Sequence, residues 1–164
     1  MQTQEALKQR RSSRSFQAKP IERSIIEEII DCARLAPSAR NIQPWGFLVI
    51  TEKEALQKLA AATDTGRFIA ESACCIAVFC QDTKYYLEDG CAATENILIA
   101  ATELGLASCW VAGDKKPYSE GVKELLHAPA DLKLVSLIPL GYAKTPAHLP
   151  AKKSLRDVLH WDKF

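Results

Sequence analysis

Between residues 21 and 36 the chain reads IERSIIEEIIDCARLA, and its apolar residues fall where one helical face needs them. Ile25, Ile29 and Ala33 stand in line, with Ile26 and Ile30 beside them. Ser24, three residues before Glu27, predicts a capping box at the start of this helix. Pro37 predicts its end, because the ring blocks a further turn. At WGFLVIT (45–51) the pattern changes to bulky and β-branched residues, which predicts a strand. EKEALQKLAAAT (52–63) then predicts a helix. ACCIAVFCQ (73–81) is an unbroken apolar run of strand length, the pattern of a strand covered on both faces. YYLEDGCAATENILIAATEL (85–104) predicts a long, largely apolar helix, with Gly105 just past its end. ASCWVA (107–112) and LKLVSLIPLGY (132–142) predict two more strands around a short helix, YSEGVKELLH (118–127). TQEALKQ (3–9) predicts a short opening helix.

Strands alternating with helices predict a sheet covered by helices. No repeat, low-complexity tract or long linker interrupts the pattern, and the length, 164 residues, lies within the ~100–200 usual for one domain. The expectation is a single domain over 1–164. At this size roughly 70% of the unfolded surface is buried, so the core needs neither metal nor disulfide. Ala92, Ala93, Ile97, Ala100 and Ala101 give the long helix small residues over much of its circumference. Two readings follow: a core helix packed closely within one subunit, or a helix buried between the subunits of a dimer.

Composition narrows the partners. The chain is 48% hydrophobic and 25% charged, with a formal net charge of +1. That balance argues against a general nucleic-acid binder, which draws its affinity from excess Lys and Arg. No apolar run reaches the ~18–20 residues of a bilayer span. The six cysteines, Cys32, Cys74, Cys75, Cys80, Cys91 and Cys109, form no C-x-x-C pair, and most lie in apolar or small-residue runs. The opening residues carry no signal-peptide pattern. The expectation is a cytoplasmic protein with reduced, mostly buried thiols and no metal site. A redox role for Cys74 or Cys80 is the less favoured alternative, because an apolar setting raises a thiol pKa.

The usual catalytic patterns are missing. His127, His148 and His160 are the three histidines, none in a metal-ligand spacing, and His148 and His160 read as surface residues. There is no G-x-S-x-G elbow, H-E-x-x-H helix, Walker loop or G-x-G-x-x-G. Either a bound cofactor carries the chemistry, or the protein only binds something. Both require a ligand site, and two stretches supply candidates. QRRSSRSF (9–16) interleaves arginine and serine, and in an extended segment Arg10, Ser12 and Arg14 point to one side while Arg11 and Ser13 point to the other. Guanidinium forks with a small hydroxyl between them suit a phosphate, with Phe16 and Pro20-Ile21 as anchors; a solvated basic arm is the alternative. APSARNIQPW (36–45) carries Ser38, Asn41 and Gln43 between two prolines, ahead of Trp45. An ordinary helix-to-strand turn also uses such residues.

Together, R-R-S-x-R-x-F and then A-P-S-A-x-N-x-Q-P-W-x-F closely resemble the FMN-dependent nitroreductase family. The likeness continues through TENILIAATELGLASCWVAG and IPLGYAKTP to AKKSLRDVLHW, over nearly the whole chain. The resemblance implies an α+β fold, a three-layer α/β/α sandwich with a central mixed or antiparallel sheet, assembled as an intertwined homodimer with FMN at the subunit interface. It implies that Arg10, Ser12 and Arg14, assisted by Arg11, hold the flavin phosphate and ring edge. Pro37, Ser38, Ala39 and Asn41 would reach the flavin from the partner subunit, with Gln43 nearby. The strand containing Trp110, Val111, Ala112 and Gly113 would lie against the isoalloxazine, with the amide of Ala112 or Gly113 donating to N5. Lys152 and Lys153 would close on the phosphate.

The implied activity is hydride transfer from NADH or NADPH through FMN to a small electron-poor acceptor, a nitroaromatic or quinone, in ping-pong turnover. Two alternatives stay open: an FMN-binding protein without turnover, serving storage, delivery or sensing, and an anion- or nucleic-acid-binding module. The chain departs from larger relatives between Gln81 and Glu95, where there is no room for the helical excursion that covers their active site. A more open pocket is expected, with Arg40 and Trp110 as candidate lining residues. The run 109–112 also lacks an acidic side chain that some relatives carry on this strand.

Overall fold

The structure, a computed structural model, describes residues 2–146 and 150–164. His148 lies outside the described residues. Five strands form one sheet: β1 (Trp45–Ile50), β2 (Cys74–Gln81), β3 (Ala107–Ser108), β4 (Val111–Ala112) and β5 (Leu132–Gly141). Their order is β1-β2-β5-β3, with β4 also on β5, and every one of these pairings is antiparallel. Parallel geometry enters at an isolated bridge between Ser12 and Ser108.

The seven residues from Cys74 to Cys80 are all buried, and the alternation of a strand divides them between two cores. Ile76, Val78 and Cys80 pack with Ile26 and Ile29 of α2 (Arg23–Ala33) and with Ile97 and Ala101 of α4 (Tyr86–Glu103). Cys75, Ala77 and Phe79 pack with Leu56 and Leu59 of α3 (Lys53–Ala62), with Ile69, and with Val122 of α5 (Ser119–Leu125). Helices therefore cover both faces of an antiparallel sheet, the expected three-layer α+β sandwich. α1 (Thr3–Gln9) packs on α4. Of the small residues in α4, Ala93, Ile97, Ala100 and Ala101 are buried within this chain, while Ala92 is half-buried.

The sheet bulges where α4 crosses it. Val78 faces Ser136, but Phe79 faces Leu134, so Val135 is an extra residue in β5. Val135 packs against Gly90, where an added Cβ would stand 2.7 Å from its Cγ2. Beside it, Thr94 Oγ1 donates to the Gly90 carbonyl at 2.8 Å and lies 2.8 Å from Ser136 Oγ, which donates in return.

Two local expectations change. The Ser24–Glu27 capping box does not form: α2 starts at Arg23 with Glu22 as N-cap and no side-chain cap, and Glu27 instead accepts from Arg23 Nε at 2.7 Å. An i,i+4 charge pair on an exposed face has taken the carboxylate a cap would use. The predicted strand 107–112 divides into β3 and β4, although its register on β5 is continuous. Cys109 donates to the Pro139 carbonyl at 3.3 Å, and Pro139 has no N–H to return. Trp45 opens β1, as predicted, and packs half-buried against the core. The end of α4 is as predicted: Gly105 (φ +75°) donates to Thr102 and Leu106 to Ala101, a Schellman closure.

Candidate functional site

The basic octet is built into the fold. Arg10 is the C-cap of α1, its N–H bonded to the Ala6 carbonyl at 2.8 Å, and the chain then runs extended beside β3. Ser13 N–H donates to the Ser108 carbonyl at 2.8 Å, and Gln17 N–H to that of Tyr142 at 2.9 Å. Phe16 is buried against Gly141, where a Cβ would stand 2.8 Å from its ring. Ile21 also packs on the core, whereas Pro20 is exposed.

Alternation sorts the side chains as the sequence predicts. Ser13 is buried, Arg11 half-buried, and Ser12 and Arg14 are exposed. Arg11 turns back: its Nη1 donates to the carbonyls of Lys8 (2.8 Å) and Arg10 (2.5 Å), tying off the end of α1. Arg10, Ser12 and Arg14 all act on the Cys109 thiol. Burial pushes this thiol up, and Arg14, a hydrogen bond with Ser12, and Arg10 pull it partly back. Arg14 stands 5.8 Å above the Phe68 ring, and Arg10 makes a long, half-exposed pair with Glu95 (3.7 Å). Two guanidinium groups and a hydroxyl thus share one side of the segment, with little carboxylate to neutralise them. The influence of this cluster on Cys109 was not read from the sequence, where the residue counted only as a buried thiol.

The adjoining strand edge has a definite polarity. In an antiparallel ladder, successive residues turn their polar groups alternately toward and away from the neighbouring strand. Cys109 N–H goes to Pro139 and Gly113 N–H to Val135 (3.0 Å), so 109, 111 and 113 address β5. Ser108, Trp110 and Ala112 therefore face the open side. There the Ser108 carbonyl accepts from Ser13, and the Ala112 carbonyl accepts the Tyr118 hydroxyl. Of the two amides considered from the sequence, that of Gly113 is already bonded, and that of Ala112, on an exposed residue, points outward. Val111 is buried and Trp110 half-buried.

The second motif forms a tightly held loop. Ser38 Oγ accepts Gln43 N–H at 2.9 Å, Asn41 N–H donates to the Ser38 carbonyl at 3.0 Å, and Asp89 Oδ1 on α4 accepts Ala39 N–H at 2.9 Å. Arg40, Asn41 and Gln43 all adopt left-handed backbone (φ +54°, +56° and +53°). Such a density of non-glycine left-handed residues is strain of the kind held at functional sites. Pro37, Asn41 and Gln43 are exposed, and Ser38 and Ala39 half-buried. Lys152 and Lys153 lie on an exposed C-terminal arm and make no ion pair among the described residues. His127 and His160 are exposed.

Cys74 and Cys80 are pushed up to about 12 by burial, and Cys75 rises for the same reason. Almost no thiolate exists there at neutral pH, which speaks against redox chemistry at Cys74 or Cys80. No helix among the described residues is long and apolar enough to cross a membrane.

Comparison with known proteins agrees with this geometry. A family model described as the nitroreductase family matches residues 7–74 and 81–142. A protein of Methanothermobacter thermautotrophicus named putative NADH dehydrogenase/NAD(P)H nitroreductase is 32% identical, over 100% of this chain and 88% of its own length. A crystal structure under that same name from Bacteroides thetaiotaomicron superposes with a TM-score of 0.94 at 27% identity, covering 99% of this chain and 98% of that one. An FMN-dependent nitroreductase from Clostridium difficile superposes with a TM-score of 0.89 at 26% identity, covering 97% and 98%.

Proposed function

The chain belongs to the nitroreductase family, and on that premise we propose that it is a homodimeric, FMN-dependent oxidoreductase. It takes hydride from NADH or NADPH and delivers it to a small electron-poor acceptor, a nitroaromatic or a quinone. The observation that carries this reading is the extended run of Arg10, Ser12 and Arg14, bridged to β3 at Ser108, beside a strand edge whose Ala112 amide is turned outward.

The donor set fits the cofactor. A phosphate dianion needs cations and small donors, and Arg10, Arg14 and Ser12 supply both. Arg11 assists by fixing the turn from which Arg10 projects. Ala112 N–H would be the donor to the flavin, Trp110 would flank it, and Gly113 and the buried Val111 hold the strand to the core and to β5. FMN, once bound, supplies the hydride carrier, which accounts for a chain without an acid–base pair.

Two copies make sense of the second motif. Asp89, which holds the 36–45 loop, and Glu95, which pairs with Arg10, are six residues apart on α4. At ~100° per residue they leave the helix roughly 120° apart, on different faces. Pro37, Ser38, Ala39, Asn41 and Gln43 thus serve a partner's flavin more readily than their own. The exposed arm, with Lys152 and Lys153, also carries Leu155, Val158, Leu159, Trp161 and Phe164 uncovered, an apolar strip suited to the surface of a second copy. β2 and α4 are joined by residues 82–85 alone, which supports an open pocket and broad acceptor choice. The absorbance spectrum of the protein as isolated, followed by NADH addition, tests the reading. A flavin spectrum bleached by NADH and restored by a quinone is expected. A colourless protein that does not take up FMN overturns it, and uptake without NAD(P)H consumption leaves a flavin carrier instead.

A further inference from the structure

We propose that the cavity where the 39–42 loop meets the turn before α4 is a subsite for an anionic group, carboxylate or phosphate, carried by one of the two substrates. The inference rests on the flavin reading above, because Ala39 and Asn41 belong to the segment assigned to the cofactor. The cavity measures about 120 Å³ and is lined by Ala39, Arg40, Ile42, Thr83, Lys84 and Tyr85. It is too small for a nucleotide and suits a single charged group with part of a ring.

Two cations line it, Arg40 and Lys84, and like Arg14, Lys152 and Lys153 they make no ion pair among the described residues. Arg10, Arg23, Arg34, Lys58, Lys116, Lys123 and Lys133 all have carboxylate partners. The Lys84 ammonium lies 5.1 Å from the Tyr85 ring. Of the nearby acids, Asp82 binds Lys133 at 3.3 Å, Glu88 is exposed, and Asp89 holds Ala39 through Oδ1 while its Oδ2 is buried without a partner. Thr83 Oγ1 is buried without a partner and adds a hydroxyl donor. Arg40 also keeps a left-handed backbone that glycine would adopt without strain. A guanidinium needed at this spot explains an arginine there. Ile42 and Tyr85 offer apolar walls for a ring.

The test uses the FMN-loaded protein and two matched pairs: 4-nitrobenzoate against 4-nitrobenzyl alcohol with NADH, and NADPH against NADH with the alcohol as acceptor. In the Arg40→Gln, Lys84→Gln double variant, KM for the member of one pair that carries the extra anionic group is expected to rise about tenfold or more, as for lost charge-assisted bonds, with its counterpart lacking that group changed less than about twofold. A shift in the nitrobenzoate pair identifies a carboxylate on the acceptor; a shift in the nicotinamide pair identifies the 2′-phosphate. Lys84→Glu, on an exposed side chain, should enlarge the same shift and provides a second variant if the double one folds poorly. Equilibrium dialysis of 4-nitrobenzoate and its alcohol against each variant reads the acceptor arm without turnover. If both ratios stay unchanged in variants that retain FMN, the subsite is wrong. A wild-type protein that consumes no NAD(P)H with any acceptor overturns the reductase reading, and the subsite with it.

Discussion

The Asp89 carboxylate, 5% exposed on α4, accepts the backbone N–H of Ala39 at 2.9 Å. One buried side chain thereby ties the long helix to a loop with three left-handed residues. Removing the acceptor leaves a buried N–H unpaired and the strained loop less restrained. Asp89→Ala should cost about 1.5–3 kcal/mol in unfolding free energy, the range for a hydrogen bond to a charged group. It should also weaken FMN binding, whereas Asp89→Asn, which keeps an acceptor oxygen, should retain most of both. Equal losses in the two variants would show that charge, not the bond to Ala39, is what matters.

Arg10 and Arg14 flank Ser12 in the extended segment, and both favour the charged form of the Cys109 thiol. Replacing both with alanine removes two charge-assisted contacts of ~1.5–3 kcal/mol each, so FMN affinity should fall at least about tenfold. Fluorescence titration of the apoprotein with FMN measures this. Unchanged affinity would remove the phosphate assignment.

Gly90 sits where the β5 bulge presses on α4. A Cβ there would lie 2.7 Å from Val135 Cγ2 and 3.0 Å from Cys80 Sγ. Gly90→Ala gains helix propensity but overpacks a closed core, and a net destabilisation of about 1–3 kcal/mol is expected in urea unfolding. A higher unfolding midpoint would mean that the bulge yields more easily than its packing implies.

Burial pushes Cys74 and Cys80 up to about 12 and moves Cys75 and Cys109 in the same direction. Because the thiolate is the reactive species, these four should resist a thiol reagent in the native protein at mildly alkaline pH. Cys32 and Cys91, half-buried, should react first, with Cys91 slowed by its own burial-raised pKa. Counting thiols with Ellman's reagent before and after denaturant checks this; four or more reacting in the native state contradicts the packing.

Much of this architecture is legible along the chain because it depends on short-range pattern. The 3.6-residue spacing of Ile25, Ile26, Ile29 and Ile30 and the apolar run from Cys74 to Cys80 report which surfaces must leave water. Gly105 ends α4 because its own backbone permits φ +75°. The alternation of Arg10, Ser12 and Arg14 is likewise a local property of extended chain. The missing capping box shows the limit: Ser24 and Glu27 have the right spacing, but Arg23 competes for the carboxylate, and spacing alone does not rank the two partners.

The sequence by itself therefore determined the order of helices and strands, the two-faced burial of β2 and the residue types from which an anion site could be made. Tertiary structure alone decided that the arginine segment lies beside Ser108, that Pro139 divides the strand opposite it, that Ala112 rather than Gly113 turns its amide outward, and that Asp89 grips Ala39. The reason is physical. Each of these depends on which backbone lies beside which, and pairing across 25 to 100 residues follows from packing the whole core, not from the periodicity of any one segment.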